Sequence, residues 1–170
     1  MLIGFTGAQC TGKTTLLNMC KTQCSDDWNF VDEVTRKVKR ERKVMINEAG
    51  DDLTQLFILK EHLTNHVVDS DNQNWILDRC ILDGYVFTKG LHGQRSVDKG
   101  VVDHAGCLLS MLGERLDLIF YTEPDDITIE DDGERSVNKK FRDDIISIYE
   151  DLMASSISTP GRDTWRRKVV

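Results

Sequence analysis

The stretch Gly7-Ala8-Gln9-Cys10-Thr11-Gly12-Lys13-Thr14 matches the pattern G-x-x-x-x-G-K-[ST] at every fixed position. The apolar run LIGFT at residues 2–6 precedes it, and LLNMC at residues 16–20, which has helical spacing, follows it. In this order a buried strand leads through a glycine-rich turn into a helix. Such a turn points successive backbone N–H groups at phosphate oxygens, and the helix adds its positive end. The stretch therefore predicts a loop that binds the phosphates of a nucleoside triphosphate.

The same loop carries the side chains that a triphosphate site needs. Lys13 would reach the β- and γ-phosphates, and the hydroxyl of Thr14 would ligate Mg²⁺. The predicted cofactors are therefore ATP and Mg²⁺. The residues expected to contact the nucleotide are Gly7, Ala8, Gln9, Cys10, Thr11, Gly12, Lys13, Thr14 and Thr15.

The bulk composition is that of one soluble globular domain, which we expect to span residues 1–170. Hydrophobic residues make up 39% and charged residues 30% of the chain, and no run approaches the roughly 20 apolar residues of a membrane span. The start, MLIGFTG, lacks the basic residues and cleavage site of a secretory signal, which favours a cytoplasmic location. The net charge of −7 disfavours general binding to nucleic acid but leaves a local basic cleft open.

Cysteine and histidine chemistry is not expected to dominate the function. The five cysteines include no CxxC pair, which argues against a disulfide framework or a zinc site. His62 and His66 lie four residues apart, but no HExxH signature or other ligand lies near them. Metal binding by these two histidines is therefore the minor interpretation.

Short apolar runs alternate with helical patterns along the chain. Strands are predicted at residues 2–6, 28–31, 75–77 and 118–121, with a short fifth strand at the end of the chain. After the helix that follows the loop, further helices are predicted at residues 33–50, 51–69, 82–89, 101–115 and 141–153. In the segment 51–69 the expected apolar face consists of Leu53, Leu56, Phe57, Leu59 and Leu63. This alternation predicts an α/β fold of three layers, α/β/α, with a mainly parallel sheet.

Charged residues follow the second and third predicted strands, at the edge where ligands gather in open parallel sheets. Asp78 ends the run WILD, where a carboxylate can hold Mg²⁺ directly or through water; a solvated strand-end aspartate is the alternative. Glu33 is the favoured base for an acceptor hydroxyl, and its neighbour Asp32 is a rival that alternation puts on the opposite face. The expected substrate-binding set is Asp32, Glu33, Arg36, Asp78, Arg79 and Asp83.

Arginines supply the remaining candidates. Arg36 and Arg79 would clamp an anionic acceptor or the transferring phosphoryl group, with surface ion pairs as the alternative. The polar segment 123–140 has the character of a lid, and its Arg135 and the following Arg142 would neutralise charge in the transition state; a solvated loop is the alternative. The basic run at residues 37–43 is interpreted as a solvated helix face, with a phosphate-rich partner as the other possibility. The predicted catalytic set is Lys13, Glu33, Arg79, Arg135 and Arg142.

Taken in order, these motifs resemble the P-loop nucleoside and nucleotide kinases, specifically the nicotinamide-riboside-kinase-like branch found in phage and bacterial genomes. That branch is AAA-type and similar to thymidylate kinases. The motifs that carry the resemblance are the phosphate loop, Glu33-Val34-Thr35-Arg36 like E-x-x-R, Asp78-Arg79 with Leu82-Asp83 and Tyr85 like D-R-x-x-L-D, and Asp132-Gly133-Glu134-Arg135-Ser136 like D-G-x-R-S. A late G-x-x-x-x-R element near adenine is matched weakly by residues 161–166, and the chain ends soon after it.

The resemblance implies a P-loop NTPase fold with a lid, and Mg-ATP-dependent phosphoryl transfer to a small nucleoside or nucleotide acceptor. Thymidylate-kinase-like activity is the first choice within that range, and nicotinamide-riboside-kinase-like activity stays open. The alternatives are a polynucleotide 5′-hydroxyl or DNA-base kinase, and a nucleotide-binding ATPase or switch that acts with a protein partner. The expected partners are the small-molecule acceptor and, as an open alternative, a second copy of the chain in a homodimer. Nucleic acid is not favoured, and no membrane contact is expected.

Overall fold

The computed structural model describes residues 1–67, 73–124, 138–154 and 169–170. Within these ranges four parallel strands form one sheet in the order β2-β3-β1-β4; they are β1 Leu2–Thr6, β2 Trp28–Val31, β3 Asn74–Asp78 and β4 Leu118–Tyr121. Strand β1 is buried along its whole length and has a paired strand on each side. The four predicted strands are confirmed, with β3 extended by one residue at its start and including Asp78 at its end.

Six α-helices lie in the described part of the chain: α1 Lys13–Gln23, α2 Val34–Arg42, α3 Asp52–His66, α4 Ile81–Gly93, α5 Lys99–Leu112 and α6 Lys139–Ala154. Successive residues of β1 face opposite layers, as a strand requires. Leu2 belongs to the core cluster that contains residues of α4, α5 and α6, whereas Ile3 and Phe5 pack with Leu17 of α1. Helices therefore cover both faces, and the predicted α/β/α fold is confirmed. None of the described helices is long and apolar enough to cross a membrane.

The helix predicted for residues 33–50 is shorter than expected. It ends at Arg42, where Lys43 takes a left-handed backbone conformation with φ of 55°. After Ile46, whose backbone is extended, Asn47–Ala49 forms a single 3₁₀ turn. The inner side of α2 is buried through Val34 and Val38.

The prediction of the inner face of α3 is wrong for most of the residues named, because they are exposed. Leu53, Leu56 and Leu63 are 55%, 41% and 38% exposed, and Leu59 is buried as expected. The leucines occur on more than one side of the helix, so apolar spacing did not define the face that packs on α2, α4 and α5. The residues buried beside Leu59 are Thr54, Gln55, Ile58, Glu61, His62 and His66.

The end of the chain returns to the sheet beside β4. Val169 forms a parallel bridge with Ile119, and the amide of Val170 donates to the Ile119 carbonyl at 2.9 Å. The amide of Tyr121 donates in turn to the Val170 carbonyl at 2.9 Å. The described residues therefore show the contact expected of a short fifth strand.

Candidate functional site

The backbone of residues 7–12 curls in the way that the glycine pattern predicts. Gly7 and Gly12 have φ of 143° and 83°, and Cys10 between them has φ of 60°. A side chain at position 7 is excluded for two reasons. The positive φ of Gly7 is one that other residues rarely adopt, and a Cβ there would lie 2.6 Å from the carbonyl oxygen of Thr122. Thr122 follows β4, and its hydroxyl lies 2.6 Å from that of Thr11. The loop is therefore held in place by the neighbouring strand end.

Lys13 is folded into this loop, with only 5% of the residue exposed. Its Nζ donates to the Gly7 carbonyl at 2.9 Å and the Thr11 hydroxyl at 3.0 Å, and it also donates to the Ala8 carbonyl. Burial, with Arg79 as the next cause, lowers the pKa of Lys13 to about 7. A phosphate that enters the loop would add negative charge and raise this pKa again.

Thr14 and Asp78 lie together at the side of the loop. The Thr14 hydroxyl donates to Asp78 Oδ2 at 2.9 Å. Asp78 is only 2% exposed, and this burial raises the pKa of its carboxyl group. A hydroxyl oxygen and a buried carboxylate beside a phosphate loop fit Mg²⁺, whose other ligands are phosphates and water. No group of three or more His, Cys, Asp and Glu ligands occurs in the described ranges.

The charged residues after β2 and β3 form one connected cluster. Arg79 Nε donates to Glu33 Oε1 at 2.9 Å, and Arg79 Nη1 donates to Asp83 Oδ1 at 2.8 Å. Arg36 Nε donates to the other oxygen of Glu33 at 3.0 Å. Arg79 Nη1 also lies 3.4 Å from the Gly7 carbonyl, which joins the cluster to the phosphate loop. The sheet edge therefore brings together Glu33, Arg36, Arg79 and Asp83, four of the residues that the sequence analysis placed there.

The electrostatics of this cluster keep Glu33 ionised. Burial by itself would raise the pKa of Glu33, but Arg79 and Arg36 outweigh it and lower the pKa. Arg79 holds its position with φ of 87°, which is uncommon for a residue other than glycine and is often found at functional sites. The site thus presents a carboxylate, positioned by two guanidinium groups, beside the loop.

Asp32 and Arg142, two other predicted site residues, lie outside this cluster. Asp32 does not join the cluster, since its side chain is 79% exposed and pairs with Lys21 at 2.6 Å. Arg142, on the first turn of α6, reaches the loop, where its Nε donates to the Gln9 carbonyl at 3.3 Å. Arg135, most of the lid segment and the weak motif at residues 161–166 fall outside the described residues.

Tyr149 is a site residue that the sequence analysis missed. It is fully buried, and its hydroxyl lies 3.1 Å from both the Thr6 hydroxyl and Asp83 Oδ1. The same oxygen accepts a hydrogen bond from the Gly7 amide at 3.3 Å. Tyr149 therefore connects α6 to the loop and to the cluster. In the sequence it is one aromatic residue in a helical pattern, which indicates burial and nothing more.

A pocket opens beside the cluster, between α3 and α4. The two helices run antiparallel, because His66 contacts Ile81 while Gln55 contacts Thr88 further along α4. The pocket is lined by Glu33, Thr35, Asn47, Gln55, Ile58, His62, Arg79, Asp83, Gly84, Phe87 and Leu91. Of this lining, the sequence analysis had assigned a site role only to the three charged residues; it had named Thr35 inside a motif and His62 as a minor metal-binding candidate.

Comparisons with known proteins give a family for the chain and a likeness in fold. Residues 2–165 match the model of a family described as an AAA domain. The chain belongs to the AAA-domain family. This AAA-domain protein is also similar in structure to the NadR protein, solved in complex with NR, with a TM-score of 0.70 and 19% sequence identity. The match covers 99% of the chain but only 44% of NadR, so the chain spans less than half of that protein. No curated protein matches the chain.

Proposed function

We propose that this AAA-domain protein transfers the terminal phosphoryl group of ATP to a hydroxyl of a small nucleoside or nucleotide. The observation that carries the proposal is the pocket that adjoins the phosphate loop. Arg79 touches both, since it lies 2.9 Å from Glu33 in the pocket wall and 3.4 Å from the Gly7 carbonyl in the loop. A hydroxyl bound near Glu33 would therefore lie beside the end of a bound triphosphate, as positioning for direct transfer requires.

Each residue of the site has a definite part in such a reaction. Mg-ATP supplies the phosphoryl group; Lys13 would bind its outer phosphates, and Thr14 and Asp78 would hold the metal. Glu33 accepts the proton of the acceptor hydroxyl as that oxygen bonds to the γ-phosphorus. The bond between the γ-phosphorus and the bridging oxygen breaks, and ADP leaves. Arg142, held at the Gln9 carbonyl, is near enough to the loop to offset the negative charge that develops.

The charge of the pocket favours a nucleoside over a nucleoside monophosphate. The charged residues in its lining are Glu33, Asp83 and Arg79. Arg79 already pairs with both carboxylates, at 2.9 Å and 2.8 Å. A dianionic monophosphate would meet two carboxylates whose guanidinium partners, Arg79 and Arg36, are already engaged, whereas a neutral or cationic nucleoside would not be repelled. The likeness to NadR, solved with NR, is consistent with this choice.

Incubation with Mg-ATP and a panel of acceptors tests the proposal. The panel consists of nicotinamide riboside, thymidine, cytidine, thymidine monophosphate and a single-stranded DNA with a free 5′-hydroxyl. We expect transfer to at least one nucleoside, detected as the phosphorylated product by mass spectrometry. Steady ATP hydrolysis without transfer would instead support a switch, and transfer to DNA alone would support a polynucleotide kinase. Intact ATP binding with no transfer to any acceptor would falsify the proposal.

A further inference from the structure

His62 lies in the wall of the pocket and has a buried polar atom with no partner among the described residues. The residue is 1% exposed, and its Nδ1 is buried without a hydrogen-bond partner. Burial, with Arg79 as the next cause, lowers the pKa of His62 to about 3, so the imidazole is neutral at physiological pH. A neutral imidazole has one N–H donor and one acceptor nitrogen. Leaving such an atom unpaired in the interior costs folding free energy, so its presence needs an explanation.

The neighbouring His66 shows that burial of a histidine does not itself leave nitrogens unpaired. Its Nδ1 donates to the His62 carbonyl at 2.8 Å, and its Nε2 accepts from the Ile81 amide at 3.2 Å. Both nitrogens of His66 are therefore used, Nδ1 within α3 and Nε2 in joining α3 to the start of α4. This structural role explains why His66 is a histidine, but it does not explain the unpaired nitrogen of His62.

The surroundings of His62 suit a flat molecule with a polar edge. Gly84 of α4 leaves room for the ring, since a Cβ there would lie 3.0 Å from His62 Cδ2. Gln55 lines the same pocket two turns away on α3, and its Oε1 lies 3.0 Å from the Thr88 hydroxyl. The aromatic ring of Phe87 lines the pocket from α4, with the Arg79 guanidinium 5.1 Å from its centroid. One wall thus offers an aromatic face, and another offers polar atoms.

We propose that His62 is a specificity-determining residue for the acceptor, whose heteroaromatic base places an uncharged polar group against His62 Nδ1. The proposed ligand is a nucleoside whose base carries a neutral hydrogen-bonding group such as a carboxamide, a ring carbonyl or an exocyclic amine. The inference rests on the proposed function for the position of the acceptor, but it concerns binding and not transfer. It explains why a buried polar atom is retained, because its hydrogen bond forms only in the complex.

Calorimetric titration of nicotinamide riboside, thymidine and cytidine into the protein, without ATP, tests the inference directly. His62→Leu keeps an apolar side chain of similar size and removes Nδ1, so we expect the tightest-binding probe to lose about ten-fold in affinity. His62→Asn keeps a polar atom near the position of Nδ1 and should stay within about three-fold of the unaltered protein. His104→Leu, the same change at an exposed position on α5, is the matched control and should change nothing.

Stability separates a recognition role from a structural one. His62→Leu removes an unpaired buried polar atom, so its Tm should not fall while binding weakens. Unchanged binding, a loss of binding together with a lower Tm, or no binding of any probe by the unaltered protein would each overturn the inference. If His62→Leu does not fold, His62→Phe takes its place in the same comparison with His62→Asn. Nucleoside binding that depends on His62 without any phosphoryl transfer would refute the proposed function and leave this inference standing.

Discussion

The hydroxyl of Tyr149 offers a sharp test of how α6 supports the site. Tyr149→Phe takes one oxygen from a fully buried position where it contacts the Thr6 hydroxyl, the Gly7 amide and Asp83. A neutral hydrogen bond contributes about 1 kcal/mol, and one to a charged group about 1.5–3 kcal/mol. Asp83 keeps Arg79 as a donor, which limits its loss. We therefore expect the free energy of unfolding to fall by about 3 kcal/mol, measured by urea denaturation.

The same change should also lower activity through positioning. Tyr149 contacts Asp83, which orients Arg79, which in turn orients Glu33. We expect kcat to fall by about ten-fold or more, because a small displacement of reacting groups is costly, while KM for ATP changes little. Steady-state kinetics with the best acceptor from the panel would measure this split.

The control for Tyr149 is its neighbour Tyr121. The two rings pack with centroids 5.3 Å apart, but Tyr121 lies at the end of β4 and is only partly buried. Tyr121→Phe should cost less than about 0.5 kcal/mol, as is usual for changes away from buried networks. If Tyr149→Phe is as stable as the unaltered protein, or if the two variants lose equal stability, the hydroxyl does not hold the loop and the reasoning is refuted.

The other predictions concern the loop, the base and the buried histidines. Lys13→Ala should abolish turnover in a coupled ADP assay without lowering Tm; retained turnover would remove Lys13 from the reaction. Glu33→Gln should slow single-turnover transfer by about 10²-fold, whereas Asp32→Asn should not; the reverse pattern would make Asp32 the base. Burial lowers the pKa of His62 and of His66 from an ordinary value of 6.5 to about 3. The unfolded chain therefore binds more protons between these values, and stability falls as the pH drops through this window. From pH 7 to pH 5 each histidine should cost about 2 kcal/mol in urea titrations, and His62→Leu should remove about half of the combined loss.

The part of the site built from strand ends could be predicted, because it follows from a general property of parallel sheets. Parallel strands end at the same edge of a sheet, so charged residues that follow β2 and β3 must lie near the phosphate loop. Glu33 and Arg79 are 46 residues apart and still form the expected contact. The same rule did not separate Asp32 from Glu33, since both follow β2. The structure separates them, with Asp32 on the exposed side beside Lys21.

The pocket wall could not be predicted, because helices α3 and α4 contribute residues that have no motif. Apolar spacing in α3 suggested Leu53, Leu56 and Leu63 for the inner face, but all three are exposed. The inner face carries His62 and Gln55 instead, on a side chosen by the neighbouring helices and the space beside Gly84. A local pattern cannot show this, since the same sequence offers leucines to several sides of the helix.

The sequence by itself determined where the strands lie along the chain and where the phosphate loop lies. It also indicated that Lys13 and Thr14 suit the binding of phosphates and Mg²⁺. These features depend on short segments, where burial patterns and the backbone freedom of Gly7 and Gly12 act locally. Only the tertiary structure decided which carboxylate faces the loop, that His62 Nδ1 has no partner among the described residues, and that Tyr149 supports the loop from 142 residues away. Contacts between residues so distant along the chain depend on how complete layers pack, and no short stretch of sequence contains that information.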